Sequence, residues 1–167
     1  MKLKKLQIIA VIIVFTILLH HCMNKPDIPA SEVEQKVFQL VNEHRASIGF
    51  DELAWNENIS EQCREHSKNM STGIVPVGHS GFDERIKKLL GFISFSIAGE
   101  NVAFVSGYSN PAVLAFNEWL NSEEHRVNLE SDFNLAGVGV IRNNNGDYYI
   151  TQIFIREKFV PQKNTGY

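Results

Sequence analysis

Hydrophobic positions recur at helical spacing through the first two-thirds of this chain and at strand spacing through its last third. Val33, Val37, Leu40, Val41 and His44 share one face of a helix over about residues 32–47, since 3.6 residues per turn brings positions three and four apart together. Ser31-Glu32-Val33-Glu34 has the form of a capping box at its start, and Gly49 ends it. Leu53-Ala54-Trp55-Asn56 reads as a buried corner. Asn56 is then the N-cap of a second helix, whose stripe is Ile59, Cys63 and Met70 and which Gly73 closes. Residues 74–81 form a loop holding His79, and residues 82–90 a short third helix before Gly91.

A fourth helix starts near Asn110-Pro111, because proline suits the first helical position, and carries Val113, Leu114, Phe116, Trp119 and Leu120 to an end near Ser122. Residues 136–141, the turn Asn143-Asn144-Asn145-Gly146 and residues 148–155 with alternating side chains predict a hairpin. Helices first and antiparallel strands last imply an α+β layering.

The amino terminus is a separate object. Lys2, Lys4 and Lys5 precede a predominantly apolar run over residues 6–19, the charged-then-apolar order that export machinery reads. The run has 14 residues, short of the roughly 20 that a helix needs to span a bilayer core. Cys22 follows it where bacterial lipoprotein signals place the cysteine to be acylated, although His21 is neither small nor apolar. The chain thus divides into a leader, 1–22, a short proline-containing tether, 23–30, a domain, 31–160, and a tail, 161–167. The expectation is an exported bacterial lipoprotein, cell-surface or envelope-associated, that meets the membrane through its N-terminus only; a plain signal anchor is the alternative.

Charge narrows the partners. The sequence has 16 Lys+Arg and 19 Asp+Glu; setting the three leader lysines aside leaves 13 basic against 19 acidic side chains, a net charge of −6. That balance argues against nucleic acid and against electrostatic attachment to anionic lipid, both of which need a basic face. With Cys22 committed to lipid, Cys63 has no partner for a disulfide and reads as a small buried hydrophobe on its helix stripe.

Three separated segments each bring an ionisable side chain out of a turn or helix end: Gly78-His79-Ser80, Gly99-Glu100-Asn101 and Glu124-His125-Arg126. Two imidazoles and a carboxylate make a candidate site. Each also has an ordinary structural reading. His79 can bond a nearby carbonyl, Glu100 can cap the segment that follows it, and His125 can complement the end of the fourth helix. His44 and His66 sit within helix patterns and read as structural or solvated, and Trp55 and Trp119 as core anchors.

Taken together, these motifs resemble the cysteine-rich secretory, antigen 5 and pathogenesis-related (CAP) superfamily, in its bacterial SCP-like extracellular branch, over residues 34–156. The resemblance is carried by Leu40-Val41-Asn42-Glu43-His44-Arg45, Ser67-Lys68-Asn69-Met70 with His79-Ser80, and Gly99-Glu100-Asn101-Val102. Trp119-Leu120-Asn121-Ser122 with His125-Arg126-Val127-Asn128-Leu129, and Gly137-Val138-Gly139-Val140 with Thr151-Gln152-Ile153-Phe154, continue it in order. It implies a three-layer α-β-α sandwich, a central antiparallel sheet flanked by helices, with a cleft of two histidines and two glutamates that binds a divalent metal in some members. His79, Glu100 and His125 match three of those positions. Ser122 stands where the fourth glutamate is usual, with Glu123 adjacent to it. The implied metal, such as zinc, would then be held by His79, His125 and Glu100 with water completing the shell.

The leading functional expectation is a non-enzymatic binding or host/envelope-interaction module whose cleft accepts a small apolar ligand, a peptide or an envelope or host component. It follows from the lack of a Gly-x-Ser-x-Gly elbow and of a His-Glu-x-x-His helix in the sequence. The alternative is a metal-assisted hydrolase, a peptidase or esterase, with Glu100 activating a bound water. A structural or adhesive protein with a vestigial cleft is the third reading.

Overall fold

The computed structural model describes residues 28–158; the leader with Cys22, most of the tether and the tail lie outside the described residues. The elements are helix α1 (Ala30–Ser47), strand β1 (Ala54–Trp55), helix α2 (Glu57–Ser71), helix α3 (Phe82–Leu89), strand β2 (Phe95–Val105), helix α4 (Pro111–Asn121), helix α5 (Glu123–Leu129), strand β3 (Leu135–Arg142) and strand β4 (Tyr148–Glu157). Among the described residues no helix is long and apolar enough to cross a membrane.

The four strands form one sheet in the order β1-β3-β4-β2. β4 pairs antiparallel with both neighbours, and the short β1 adds a parallel step, Ala54 opposite Leu135. Alternation along β4 divides the core in two. Ile150 and Phe154 join Val138 and Val140 of β3 against α1 and α4, around the fully buried Trp119. Ile153 and Ile155 face α2 and α3 with Ile59, Cys63 and Leu89. Helices therefore cover both faces of the sheet, the expected α-β-α sandwich.

α2 lies unusually close to β3. A Cβ at Gly139 would strike the backbone of Cys63 and Arg64, and one at Gly137 would strike that of Ile59 and Ser60. The contact is fastened by Ser67, whose hydroxyl donates to the Gly139 carbonyl at 2.8 Å, and by the Cys63 thiol on the Gly137 carbonyl at 3.4 Å. Burial pushes the Cys63 thiol far up in pKa, the state of an inert core cysteine.

Two local expectations change. α1 begins at Ala30 after Pro29, with no side-chain cap, so Ser31 and Glu34 do not form a capping box. Glu34 is instead buried, accepts from Arg64 of α2 through Nε and Nη2, both at 2.8 Å, and takes the backbone N–H of Val140 at 3.0 Å. It closes the part of β3 that β1 is too short to cover. Asn56 and Asn110 do cap α2 and α4 as the sequence predicts, accepting from the N–H groups of Ile59 and Val113.

Arg45, at the last turn of α1, is also buried. Its guanidinium donates to the backbone carbonyls of Asp51, Leu129, Ser131 and Phe133 at 2.8–3.1 Å. One side chain thus ties α1 to the segment leaving α5.

Candidate functional site

The site is built around β2, which forms an edge of the sheet. Successive side chains of a strand point to opposite faces, so Glu100 reaches the layer of α2 and α3 while Asn101 reaches α5. This corrects the sequence reading of Gly99-Glu100-Asn101 as a turn: the segment is strand, in register with Ile153 and Gln152 of β4.

His79, from the loop between α2 and α3, comes up to Glu100 with Nδ1 3.0 Å from Oε1. A carboxylate only accepts, so Nδ1 carries the proton and Nε2 is the free nitrogen of a half-exposed ring. His125 arrives from the other layer. It does not end the fourth helix, as expected, because the chain turns at Ser122 and starts α5; His125 lies in the first turn of that new helix.

α5 is seated by amides. Asn101 donates to the His125 carbonyl at 3.1 Å, and Asn128 donates to the Glu100 carbonyl at 3.2 Å and to Asn101 Oδ1 at 2.9 Å. Gly99 permits this approach, since a Cβ there would run into the Asn128 side chain, with Cγ only 2.9 Å away. The His79 and His125 ring centroids lie 6.3 Å apart. With Phe82, Glu100, Glu124 and Asn128 they line an open depression of about 250 Å³. Of the other residues singled out in the sequence, Ser122 sits half-buried at the α4–α5 junction and Glu123 is exposed. Neither lines the depression, and Glu124 takes that place.

Behind the lining lies a group that sequence reasoning passed over. Arg85 of α3 is buried and grips Glu100 with Nε on Oε2 at 3.0 Å and with Nη2 on Oε1 and Oε2 at 2.8 and 2.7 Å. Its Nη1 donates to the Ser80 carbonyl at 2.8 Å and to Nδ1 of buried His66 at 3.0 Å. His66, read from sequence as structural or solvated, is therefore a neutral ring with its proton on Nε2, which donates to the Gly78 carbonyl at 2.7 Å.

This pairing bears on the metal that the resemblance implies. Both oxygens of Glu100 are engaged by Arg85 and His79, and ligating an ion would set the guanidinium and the ion in competition for one charge. Among the described residues no three His, Cys, Asp or Glu side chains are arranged to share a metal ion. With Glu100 engaged in this way, His79 and His125 are the residues of the implied set whose rings are left to meet an ion.

Burial holds His66 below the ordinary imidazole pKa, with the Arg85 charge adding to the effect. Burial likewise lowers His125, reinforced by His79. A lowered folded-state value means that the unfolded chain takes up protons first as pH falls below about 6.5, so stability declines on acidification from there. Urea unfolding at about pH 5.5 should show a lower midpoint than at about pH 7.5, and a His66→Gln/His125→Gln variant a flatter dependence. Equal pH slopes for the two proteins would place the acid sensitivity elsewhere.

Comparison with known proteins agrees with this architecture. The sequence matches the Cysteine-rich secretory protein family over residues 38–154. An extracellular SCP-domain protein from Bacillus anthracis is similar at 31% identity and a TM-score of 0.65, over 80% of this chain and 45% of that protein, so the chain spans less than half its length. An outer surface protein from Borrelia burgdorferi (18% identity, TM-score 0.67, 81% of this chain and 100% of that one) shares the fold. So does a cysteine-rich secretory protein from Staphylococcus aureus (20% identity, TM-score 0.61, 78% and 40%). No curated protein matches the sequence. With the family signature covering most of the chain and the sandwich in place, the chain belongs to the cysteine-rich secretory protein (CAP) family and carries its SCP-like extracellular domain.

Proposed function

We propose that this protein is an exported, membrane-tethered binding module, without enzymatic activity, whose cleft at His79, Glu100 and His125 receives a small partly apolar molecule, a peptide, or an envelope or host component. The observation that carries the reading is the bidentate Arg85–Glu100 pair. It leaves the cleft with no free carboxylate base at Glu100, and the rest of the lining is two imidazoles, the Phe82 ring, the Asn128 amide and the exposed Glu124 carboxylate, a set suited to recognition. Any divalent ion held there would rest on the two imidazoles, supplying Lewis acidity, with Glu100 acting behind His79.

A hydrolytic reading has one observation in its favour. The His79–Glu100 contact is the arrangement by which a carboxylate orients a histidine as general base. It assigns that role to His79, whereas the sequence expectation gave it to Glu100.

The test is a fragment set titrated into labelled protein by NMR, alongside assays with casein and p-nitrophenyl acetate. Binding fragments should shift Phe82, His125 and Asn128 and weaken at least tenfold in His79→Ala and in His125→Ala, with turnover at background. Hydrolysis abolished by both substitutions would establish the enzyme instead, and binding indifferent to both would make the cleft vestigial.

A further inference from the structure

We infer that Arg85 and His66 are positioning residues that fix the tautomer and placement of His79. The inference rests on the cleft reading above only in taking His79 as a group that meets the ligand. Neither Arg85 nor His66 lines the depression containing His79 and His125, both bordering a separate pocket beside Ser80 and Glu84, so whatever they do for a ligand in that depression they do through another residue.

The loop between α2 and α3 gives His79 little intrinsic order: it includes the exposed Ile74 and Val77 and has no regular secondary structure from 74 to 81. An imidazole on such a segment, alone, populates both tautomers and several rotamers. Here three contacts that pass through Arg85 restrict that freedom, beside the Phe82 N–H that the His79 carbonyl accepts at 3.0 Å. Glu100 orients the ring by accepting from Nδ1. Glu100 is itself a buried carboxylate, and a lone charge there would be too costly to keep. The two-point contact with Arg85 sets a positive charge against it and holds its oxygens in a fixed plane.

The backbone on either side of His79 is held by the same group. Arg85 Nη1 takes the Ser80 carbonyl directly. It also donates to His66 Nδ1 and so obliges His66 to carry its proton on Nε2, which takes the Gly78 carbonyl. Because guanidinium can only donate, His66 Nδ1 and both Glu100 oxygens accept from it, which leaves His66 Nε2 to donate to Gly78 and His79 Nδ1 to donate to Glu100. The circuit closes on the residue it serves: residues 78 and 80 are anchored by their carbonyls and residue 79 by its ring. The outcome is a histidine whose Nδ1 is committed to Glu100, leaving Nε2 as the ring nitrogen turned to a ligand in the cleft.

A salt bridge that merely stabilised the fold would not require this tautomer, and long-range imidazole 1H–15N correlation spectra at neutral pH separate the two cases. In the unmodified protein His79 should show one tautomer, protonated at Nδ1, and His66 the opposite one, protonated at Nε2. In Arg85→Lys, which keeps a positive charge but cannot make the planar two-point contact, the Nδ1–H form of His79 should fall from nearly the whole population to the minority, as in free imidazole side chains. Amide dispersion identifies the folded protein in each sample.

Tautomer averaging at His79 in the unmodified protein would overturn the inference whether or not any variant folds, and so would a folded Arg85→Lys protein with His79 still fixed. The measurement needs no ligand. A fixed tautomer together with fragments that ignore the cleft would sink the binding proposal and leave the positioning role standing.

Discussion

Replacing Gly139 by alanine should destabilise the protein by about 3 kcal/mol, at the upper end of ordinary overpacking, and lower its Tm by roughly 10 °C. The single methyl group would sit on the backbone of Cys63 and Arg64. Backbone in mid-helix cannot rotate aside as a flexible side chain can, so α2 must lift from β3. Three consequences belong together. Ser67 loses its seat on the Gly139 carbonyl and on Thr151, Arg64 is displaced from Glu34, and Cys63 is uncovered. Denaturation with urea gives the energy, and a thiol reagent gives the geometry, since Cys63 should be unreactive in the native protein and labelled readily in Gly139→Ala. A variant within about 1 kcal/mol of the unmodified protein and equally unreactive would show that the helix and sheet have slack that these close contacts deny.

Arg45→Met should cost about 4 kcal/mol, since removing one partner of a buried charged network leaves the others unsatisfied. Four carbonyls lose the guanidinium at once, that of Ser131 keeping the Phe133 N–H, and methionine fills the volume of the side chain without replacing any of its hydrogen bonds. Burial already holds the Arg45 guanidinium below its usual pKa, but arginine remains charged throughout the accessible range. Arg45→Lys should recover little, because one ammonium cannot span carbonyls contributed by residues 51, 129, 131 and 133. Since residues 129–133 leave α5 directly, hydrogen exchange should accelerate there first and the His125 resonances should move with it. A loss confined to the α1 end, with α5 unaffected, would contradict this account.

How much of this was legible in the sequence depends on whether the signal was local. Asn56, Asn110-Pro111 and the Asn143-Asn144-Asn145-Gly146 turn act on their own neighbours, and each element they announce is present where expected. The end of α4 near Ser122 was read correctly, but the short helix α5 that starts at once was missed; the pair Glu123-Glu124, acidic residues suited to a first turn, was the available hint. Glu100 was misplaced in a turn because glycine and asparagine flank it, and only pairing with β4, some fifty residues on, makes the segment a strand.

The trio His79, Glu100 and His125 was legible from its three ionisable segments together with the motif resemblance, whereas Arg85 was passed over and His66 was read as structural or solvated. Their signal was present all the same. His66 falls on the stripe of Ile59, Cys63 and Met70, Arg85 stands one turn before buried Leu89, and Arg45 continues the series Val33, Val37, Val41. A polar side chain at an apolar position of a helix is buried, and a buried polar side chain must have a partner. What the sequence withholds is which partner, because Arg85 and Glu100 are joined only by the fold.

The amides that seat α5 have a second effect, on the behaviour of many molecules together. β2 is an outermost strand, and its outward carbonyls at Glu100 and Val102 are occupied by Asn128 and by the Trp119 indole N–H. Exposed strand rims recruit strands from other copies and seed insoluble assemblies. Substitutions at Asn128 that bare this rim should therefore show first as lost solubility, a constraint on these amides that is independent of anything the depression receives.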